Sequence, residues 1–327
     1  AANRRRRRAG ERGATRARVH RRRHVRAGVG GTLRGVRLAG IGETEPAVIV
    51  QAASPQASAV IAGSGNAWTR LIAEAGLSAM AVTQSMFSIR AARALMASGH
   101  DCHLINCAYP DVTNSMIAAL GLPITCGVGN IAILAAVFPE ALGIEDPSRM
   151  KLLAHYQTLT PYRYPAAERA GPFPRIWLDA AEVADAGAAT RKARITREPA
   201  IEVSGASGVP LMLAMASGGT WQGHVPGPDG RPGGYPAAYR EGALSLELPP
   251  GLGEPEAVSW NAAFERRNGL YVDQNGRAHY AGRLFEKLKA HSPELAQGFA
   301  VADIDAVFAE MERLRARLIA TPVGGTG

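Results

Sequence analysis

Two histidines are the residues of this sequence best suited to move a proton in a reaction. His155 lies shortly after a predicted central sheet, and His224 lies in a segment rich in glycine and proline. A histidine titrates near neutral pH, so in a dry cleft it can transfer the proton of an alcohol or an amine. His155 could equally lie on a helix surface, so the sequence leaves a catalytic role open for both histidines.

One stretch in the middle of the sequence predicts the elements that would position such a group. The apolar run His103–Cys107 is typical of a buried strand, and Pro110–Leu120 is typical of an amphipathic helix that ends at a glycine. Leu122–Cys126 predicts a second strand, and Gly127–Asn130 predicts a tight turn into another helix. This strand–helix–strand–helix order predicts a parallel sheet that binds ligands at the carboxyl ends of its strands.

Three loops would lie at those carboxyl ends. They are Ser54–Gln56, which follows a predicted strand at 46–53, and the segments 106–111 and 127–130. In a parallel sheet all three must converge on one edge. Asn106 and Asn130 would then face a common pocket, while Asp111 is expected to cap its helix.

The central stretch resembles malate and lactate dehydrogenases. The resemblance rests on Asn106, Pro110-Asp111, Gly121-Leu122-Pro123, Gly127-Val128-Gly129 and Leu142-Gly143-Ile144. The longer carboxyl-terminal half is similar in plan to saccharopine and opine dehydrogenases. Together these resemblances imply an α/β fold, in which a Rossmann-like parallel sheet with an incomplete amino-terminal part precedes an α+β second domain. They also imply NAD or NADP as cofactor and a small amino or hydroxy acid as substrate.

The resemblance further implies roles for individual residues. Cofactor contacts are implied for Ala53, Ser54, Asn106, Tyr109, Gly127, Gly129 and Asn130. Substrate contacts are implied for Asn114, and for Tyr235 in a predicted loop at 218–236 that would cover the substrate. The two glycines could instead serve only their turn, and Tyr235 could pack in a structural crossover.

The glycine fingerprint of dinucleotide binding is missing from its expected place. Three strands should precede the strand at 46–53, with Gly-x-Gly-x-x-Gly after the first. The nearest match to this motif is Gly28-Val29-Gly30-Gly31, which follows a run of arginines. We therefore expect weak or absent NAD(P) binding by this chain. A non-catalytic Rossmann-like binding module without a phosphate loop is the alternative to an oxidoreductase.

The net charge of +9 comes from the amino-terminal segment. Residues 1–40 contain fourteen arginines and one acid, while the remainder carries a net negative charge. Residues 1–37 lack apolar periodicity, which predicts a segment that does not fold alone. A nucleic-acid-binding tail is one interpretation, but the segment has no aromatic residues for base stacking. The composition also fits a GC-rich gene read out of frame, so nucleic acid is not the favoured partner.

The rest of the composition predicts a soluble two-domain protein. We expect a Rossmann-like domain at 38–150 and an α+β domain at 151–327 for substrate binding and a possible homodimer contact. No apolar run is long enough to span a membrane. Three cysteines in the central strands, with no paired spacing and no histidine cluster, predict a reducing cytoplasm and no metal site.

Periodicity and breakers predict the remaining elements. Helices are expected at 67–75, 86–97, 151–157, 208–217, 256–267, 283–290 and 303–319. Strands are expected at 77–84, 175–178, 201–204 and 244–248, and a hairpin with an Asn-Gly turn at 270–280.

Overall fold

The structure is a computed structural model that describes residues 46–56 and 65–321. The predictions for residues 1–37, including Gly28-Val29-Gly30-Gly31, lie outside the described residues. The described ranges belong to one compact unit. They form a mixed α/β structure with one parallel and three antiparallel sheets, each of three strands.

The predicted strand–helix–strand–helix order is confirmed, although the strand predicted at Leu122–Cys126 is limited to Cys126–Gly127. The first elements along the chain are β1 (Val48–Gln51), α1 (Ala67–Ala75), α2 (Ala81–Ser98), β2 (His103–Asn106), α3 (Pro110–Ala119), β3 (Cys126–Gly127) and α4 (Ile131–Leu142). The strands pair in parallel in the order β1-β2-β3, with Gln51 opposite Asn106 and Asn106 opposite Gly127. The carboxyl ends of the three strands therefore meet at one edge, as the sequence predicted.

The second half of the chain forms three antiparallel sheets and the remaining helices. The strands are β4 (Met150–Leu153), β5 (Arg175–Leu178), β6 (Ala181–Glu182), β7 (Trp221–Pro226), β8 (Gly234–Arg240), β9 (Ala243–Leu246), β10 (Leu270–Val272), β11 (Arg277–Tyr280) and β12 (Phe299–Ala300). The helices are α5 (Tyr156–Leu159), α6 (Ala186–Ala189), α7 (Arg197–Ser207), α8 (Val209–Ser217), α9 (Glu254–Asn268), α10 (Gly282–His291), α11 (Pro293–Ala296) and α12 (Ile304–Ile319).

Three short elements differ from the sequence predictions because tertiary packing outweighs local propensity. The strand predicted at 77–84 is wrong, since a 3-10 turn there leads into α2. The helix predicted at 151–157 is wrong, since Met150–Leu153 pairs with β5 and buries three of its four residues. The strand predicted at 201–204 is wrong, since these residues belong to α7, where Val203 packs against a hydrophobic cluster that includes α4.

The substrate-covering loop predicted at 218–236 is also wrong, because most of it forms the hairpin β7–β8. Glycines suggested a loop, but they have a packing role in the sheet. A side chain at Gly234 would lie 2.6 Å from Cγ2 of Ile131, and one at Gly223 would overlap the Trp221 ring. Glycine inside a strand permits this kind of close approach.

The largest hydrophobic core joins the two domains that the sequence predicted. It combines residues from α1, α2 and α3 with residues from β10 to α12, among them Trp68, Met86, Ile117, Leu270, Phe299 and Leu314. The boundary expected after residue 150 stays a prediction. None of the described helices has both the length and the apolarity needed to cross a membrane.

Candidate functional site

Two of the strand-end loops are joined directly at the carboxyl edge of the parallel sheet. Asn130, which follows β3, donates a hydrogen bond from Nδ2 to Oδ2 of Asp111, which follows β2, over 3.0 Å. Both turns have unusual backbone geometry, because Tyr109 and Asn130 adopt positive φ values of 51° and 46°. A non-glycine residue in this region is uncommon and often marks a functional segment.

Asp111 lies in the first turn of α3, after Pro110, and its side chain is buried. Burial, together with the nearby Glu265, raises the pKa of this carboxyl to about 6, against the opposing effects of His155, Asn130 and the Tyr156 backbone amide. A carboxyl group in this range can gain or lose a proton near neutral pH. The sequence had suggested only a helix cap for this residue.

His155 precedes α5 and is buried against Asp111 and Glu265. Its Nδ1 accepts a hydrogen bond from the Gln157 amide at 3.1 Å, and its Nε2 lies 3.0 Å from Oε1 of Glu265. An accepting Nδ1 carries no proton, so the neutral ring donates from Nε2 to Glu265. Burial lowers the pKa of His155, but the Glu265 and Asp111 carboxyls outweigh it and raise the pKa above its ordinary value. The His155 ring stacks on Phe264 at 5.5 Å.

Glu265 on α9 completes what we call the Asp111–His155–Glu265 cluster. One potential ligand atom from each of the three side chains lies within 4.8 Å of the others, and all three residues are buried. The sequence predicted no metal site, yet these are three side chains of types that bind metals. The periodicity that predicts the helix at 256–267 comes from its apolar residues and does not single out Glu265. The buried residues Ala257, Asn261, Phe264 and Glu265 follow helical spacing, and they show that polar residues occupy the buried stripe.

A cavity of about 550 Å³ adjoins the cluster, because Glu265 forms part of its wall. The wall also includes one face of α3, Gly230 and Pro232, and the turn between β10 and β11. Arg266 and Asp273 supply charged groups. Arg266 stacks on the Tyr271 ring at 5.3 Å and makes no ion pair within the part of the chain that the structure describes. Its guanidinium is therefore available to a ligand.

Asn106 does not face an open pocket, so the expected orientation is wrong. The residue is fully buried, and its Oδ1 accepts hydrogen bonds from Ser88 Oγ and from the Ala108 amide, both at 2.8 Å. Its Nδ2 donates to Ala108 O at 2.9 Å and to Asn114 Oδ1 at 2.8 Å. All its hydrogen-bonding groups are used inside the protein. A contact between Asn106 and a cofactor has no geometric support.

Four other predicted cofactor residues fall into two groups. Ala53 and Ser54 are exposed at the end of β1, where Ser54 donates to Gln84 Oε1 at 2.6 Å. Gly127 and Gly129 instead let the backbone approach other parts of the protein, since added side chains would overlap Pro110 and Ser204, respectively. The close approach expected of the two glycines exists, but the neighbour is the protein itself.

The predicted substrate residues are held by the protein as well. Asn114 Nδ2 donates to Gly227 O at 2.9 Å, and the buried Tyr235 donates from its hydroxyl to Pro232 O at 2.7 Å. His224 lies apart from the cluster on β7, where its Nε2 accepts from the Leu152 amide at 3.0 Å. Burial, with Lys151 nearby, lowers the pKa of His224 to about 3. His224 is therefore a neutral group that joins two sheets, whereas His155 lies among other titratable side chains.

Comparisons with known proteins identify no relative: no family model matches the chain, and neither a curated protein nor a solved structure matches it. Function must therefore be inferred from the residues and their geometry.

Proposed function

We propose that this chain is an NAD(P)-dependent oxidoreductase of saccharopine- or opine-dehydrogenase-like build that acts on a small amino or hydroxy acid. The observation that supports this proposal is the Asp111–His155–Glu265 cluster, which joins the carboxyl edge of the parallel sheet to a cavity. Ligands of open α/β sheets bind at this edge. Buried titratable groups beside a cavity are typical of reaction centres.

The cavity wall offers groups that suit an acid substrate. The guanidinium of Arg266 can hold a carboxylate through two parallel hydrogen bonds. Glu265 connects the same wall to His155. Hydride transfer requires this combination of substrate positioning and a nearby group that handles the proton of the alcohol or amine.

A non-catalytic binding module is the second candidate. It is favoured by the hydrogen bonds of Asn106 and Asn114, which are directed into the protein. The described ranges 46–56 and 65–321 also contain no Gly-x-Gly-x-x-Gly sequence. Such a module would bind the acid in the cavity without transferring hydride.

The test is an assay of NAD⁺ and NADP⁺ reduction with a panel of 2-hydroxy and 2-amino acids, combined with calorimetry of the same acids in the absence of cofactor. Because the sequence predicts weak NAD(P) binding, the assay uses cofactor at millimolar concentration. Under these conditions we expect slow turnover with at least one acid, and Arg266→Gln should raise the KM for that acid roughly tenfold or more, since a charge-assisted contact is lost. Arg283→Gln, on the exposed surface of α10, is the control and should leave KM unchanged.

Each result discriminates between the two functions. Binding of an acid without any reduction of either nicotinamide cofactor would reject the oxidoreductase and favour the binding module. Neither binding nor turnover across the panel would reject both.

A further inference from the structure

The Asp111–His155–Glu265 cluster offers oxygen and nitrogen donors from three separate elements. Asp111 comes from the start of α3, His155 precedes α5, and Glu265 comes from α9. Only 8%, 2% and 4% of their respective surfaces are exposed. A position between these side chains is therefore enclosed by protein on most sides.

Two oxygens of the cluster are buried without a hydrogen-bond partner. They are Oδ1 of Asp111 and Oε2 of Glu265, while Oδ2 of Asp111 accepts from Asn130 and Oε1 of Glu265 is hydrogen-bonded to His155. The Tyr156 backbone amide also lies close enough to the Asp111 carboxyl to lower its pKa, but it makes no hydrogen bond of normal geometry with Oδ1. Buried polar atoms in native proteins are nearly always paired, and an exception requires an explanation. An unpaired oxygen on each of two adjacent carboxyls is what a cation between them would use.

The cluster also carries more negative charge than its surroundings offset. Neither carboxyl is paired with a lysine or an arginine among the described residues, and the only chargeable hydrogen-bond partner is His155. Buried carboxylates are usually paired or bound to a metal. A divalent cation would neutralise both carboxylates together.

We propose that Asp111, His155 and Glu265 bind a divalent metal ion. Carboxylate oxygens with one imidazole nitrogen suit Zn²⁺ or Mn²⁺. Ligand atoms within 4.8 Å of one another can reach a common ion at ~2.0–2.2 Å through small side-chain movements. Three protein ligands leave a coordination position open, and one of the ligands, Glu265, also lines the cavity.

Metal binding through Nε2 of His155 costs two hydrogen bonds. The proton that Nε2 donates to Oε1 of Glu265 is displaced by the metal. The ring must then carry its proton on Nδ1, which now accepts from the Gln157 amide. Binding therefore breaks the hydrogen bond between the Gln157 amide and Nδ1 of His155 at the start of α5. The loss of these two hydrogen bonds is small beside the formation of three coordinate bonds.

The ion would extend the chemistry of the proposed function without depending on it. A divalent cation beside the cavity can polarise a carbonyl group and can lower the pKa of a bound water molecule. Metal binding is measured here without substrate or cofactor, so its outcome is independent of whether hydride transfer occurs.

The experiment is a calorimetric titration of the full chain, freed of metal with a chelator, with ZnCl₂ and MnCl₂ in turn. We expect one saturable site for at least one ion. Asp111→Asn and Glu265→Gln should each weaken it by roughly 100-fold, because even outer-shell losses reach 10–100-fold. Glu256→Gln, an exposed residue on the same helix, is the control and should bind as the wild type does.

Thermal unfolding of the same proteins guards against misfolded variants. Without metal, both variants should melt cooperatively, since each removes a buried carboxylate that has an unpaired oxygen. Added metal should raise the Tm of the wild type and of Glu256→Gln, but it should not raise the Tm of Asp111→Asn or Glu265→Gln. Absence of saturable binding by the wild type would overturn the proposal, and so would unchanged binding by Asp111→Asn and Glu265→Gln.

Discussion

At the scale of single residues, Asn106 shows how a polar group at a strand end can be structural. Its carbonyl and amide groups make four hydrogen bonds in a fully buried position. Sequence reasoning placed it beside a cofactor, because a strand end in a parallel sheet is where ligands bind. The sequence could not show that Ser88 and Asn114 would satisfy it.

We expect Asn106→Ala to lower the free energy of unfolding by about 2–4 kcal/mol, because several buried partners lose their hydrogen bonds at once. Urea unfolding of Asn106→Ala, Ser88→Ala and the double variant measures this loss. The two substitutions should be less than additive, since Ser88 Oγ donates to Asn106 Oδ1. A wild-type midpoint for Asn106→Ala would contradict the structural role.

His224 should make the protein sensitive to acid. Its pKa is lowered from 6.5 to about 3 in the folded state by burial and by Lys151, against the opposing effect of Glu247. The unfolded chain therefore binds a proton first as the pH falls, so stability is full above pH 6.5 and is lost towards pH 3. Because His224 keeps partial contact with solvent, we expect a smaller loss than a completely buried imidazole would give.

The measurement is the free energy of unfolding of the wild type and of His224→Gln between about pH 7 and pH 4. The glutamine can still accept a hydrogen bond but does not titrate, so its profile should be flatter. The control, His291→Gln at the exposed end of α10, should keep the wild-type profile. Equal slopes for His224→Gln and the wild type would show that His224 is not the acid-sensitive group.

At the scale of elements, the turn after β3 illustrates a glycine required by packing. A side chain at Gly127 would overlap the Pro110 ring and would lie 3.1 Å from Asn106 O. Gly127→Ala should therefore destabilise the protein by about 1–3 kcal/mol, the usual cost of overpacking. Gly205 lies in the exposed part of α7 with nothing within 4 Å, so Gly205→Ala should stabilise by about 0.5–1 kcal/mol.

Thermal melts of Gly127→Ala and Gly205→Ala would measure these opposite shifts. If Gly127→Ala had the wild-type Tm but no longer bound NADH or NADPH, the result would contradict the packing role and would support the cofactor contact that the sequence implied.

Elements with a strong local signal could be predicted from the sequence. The helix at 67–75 has the predicted bounds, because Asn66 and Thr69 form a reciprocal cap and Gly76 ends it. The hairpin at 270–280 is confirmed, as its Asn-Gly turn indicated. Short elements such as β4 were missed because pairing with β5 and β8, distant in sequence, decides their conformation. The cluster was missed for the same reason, since its members come together only through tertiary packing.

At the scale of the whole molecule, the shared core means that the first predicted domain depends on the last helices. Trp68, Met86 and Ile117 pack in one cluster with Phe299 and Leu314. A fragment of residues 38–150 would expose this apolar surface to water. We expect it to show no cooperative thermal transition, as measured by circular dichroism. A cooperative melt would show that residues 38–150 fold as an independent domain.

The separation of the cluster along the chain has a consequence during translation. Asp111 and His155 leave the ribosome well before Glu265, so a nascent chain holds two members of the cluster without the third. The core also remains open until its last helix, Ile304–Ile319, is synthesised. Chains that stop before α9 would thus present apolar surface and an incomplete metal site together. Such products expose the apolar surface that makes incomplete chains prone to aggregation, and only a chain that extends through α9 holds all three proposed metal ligands.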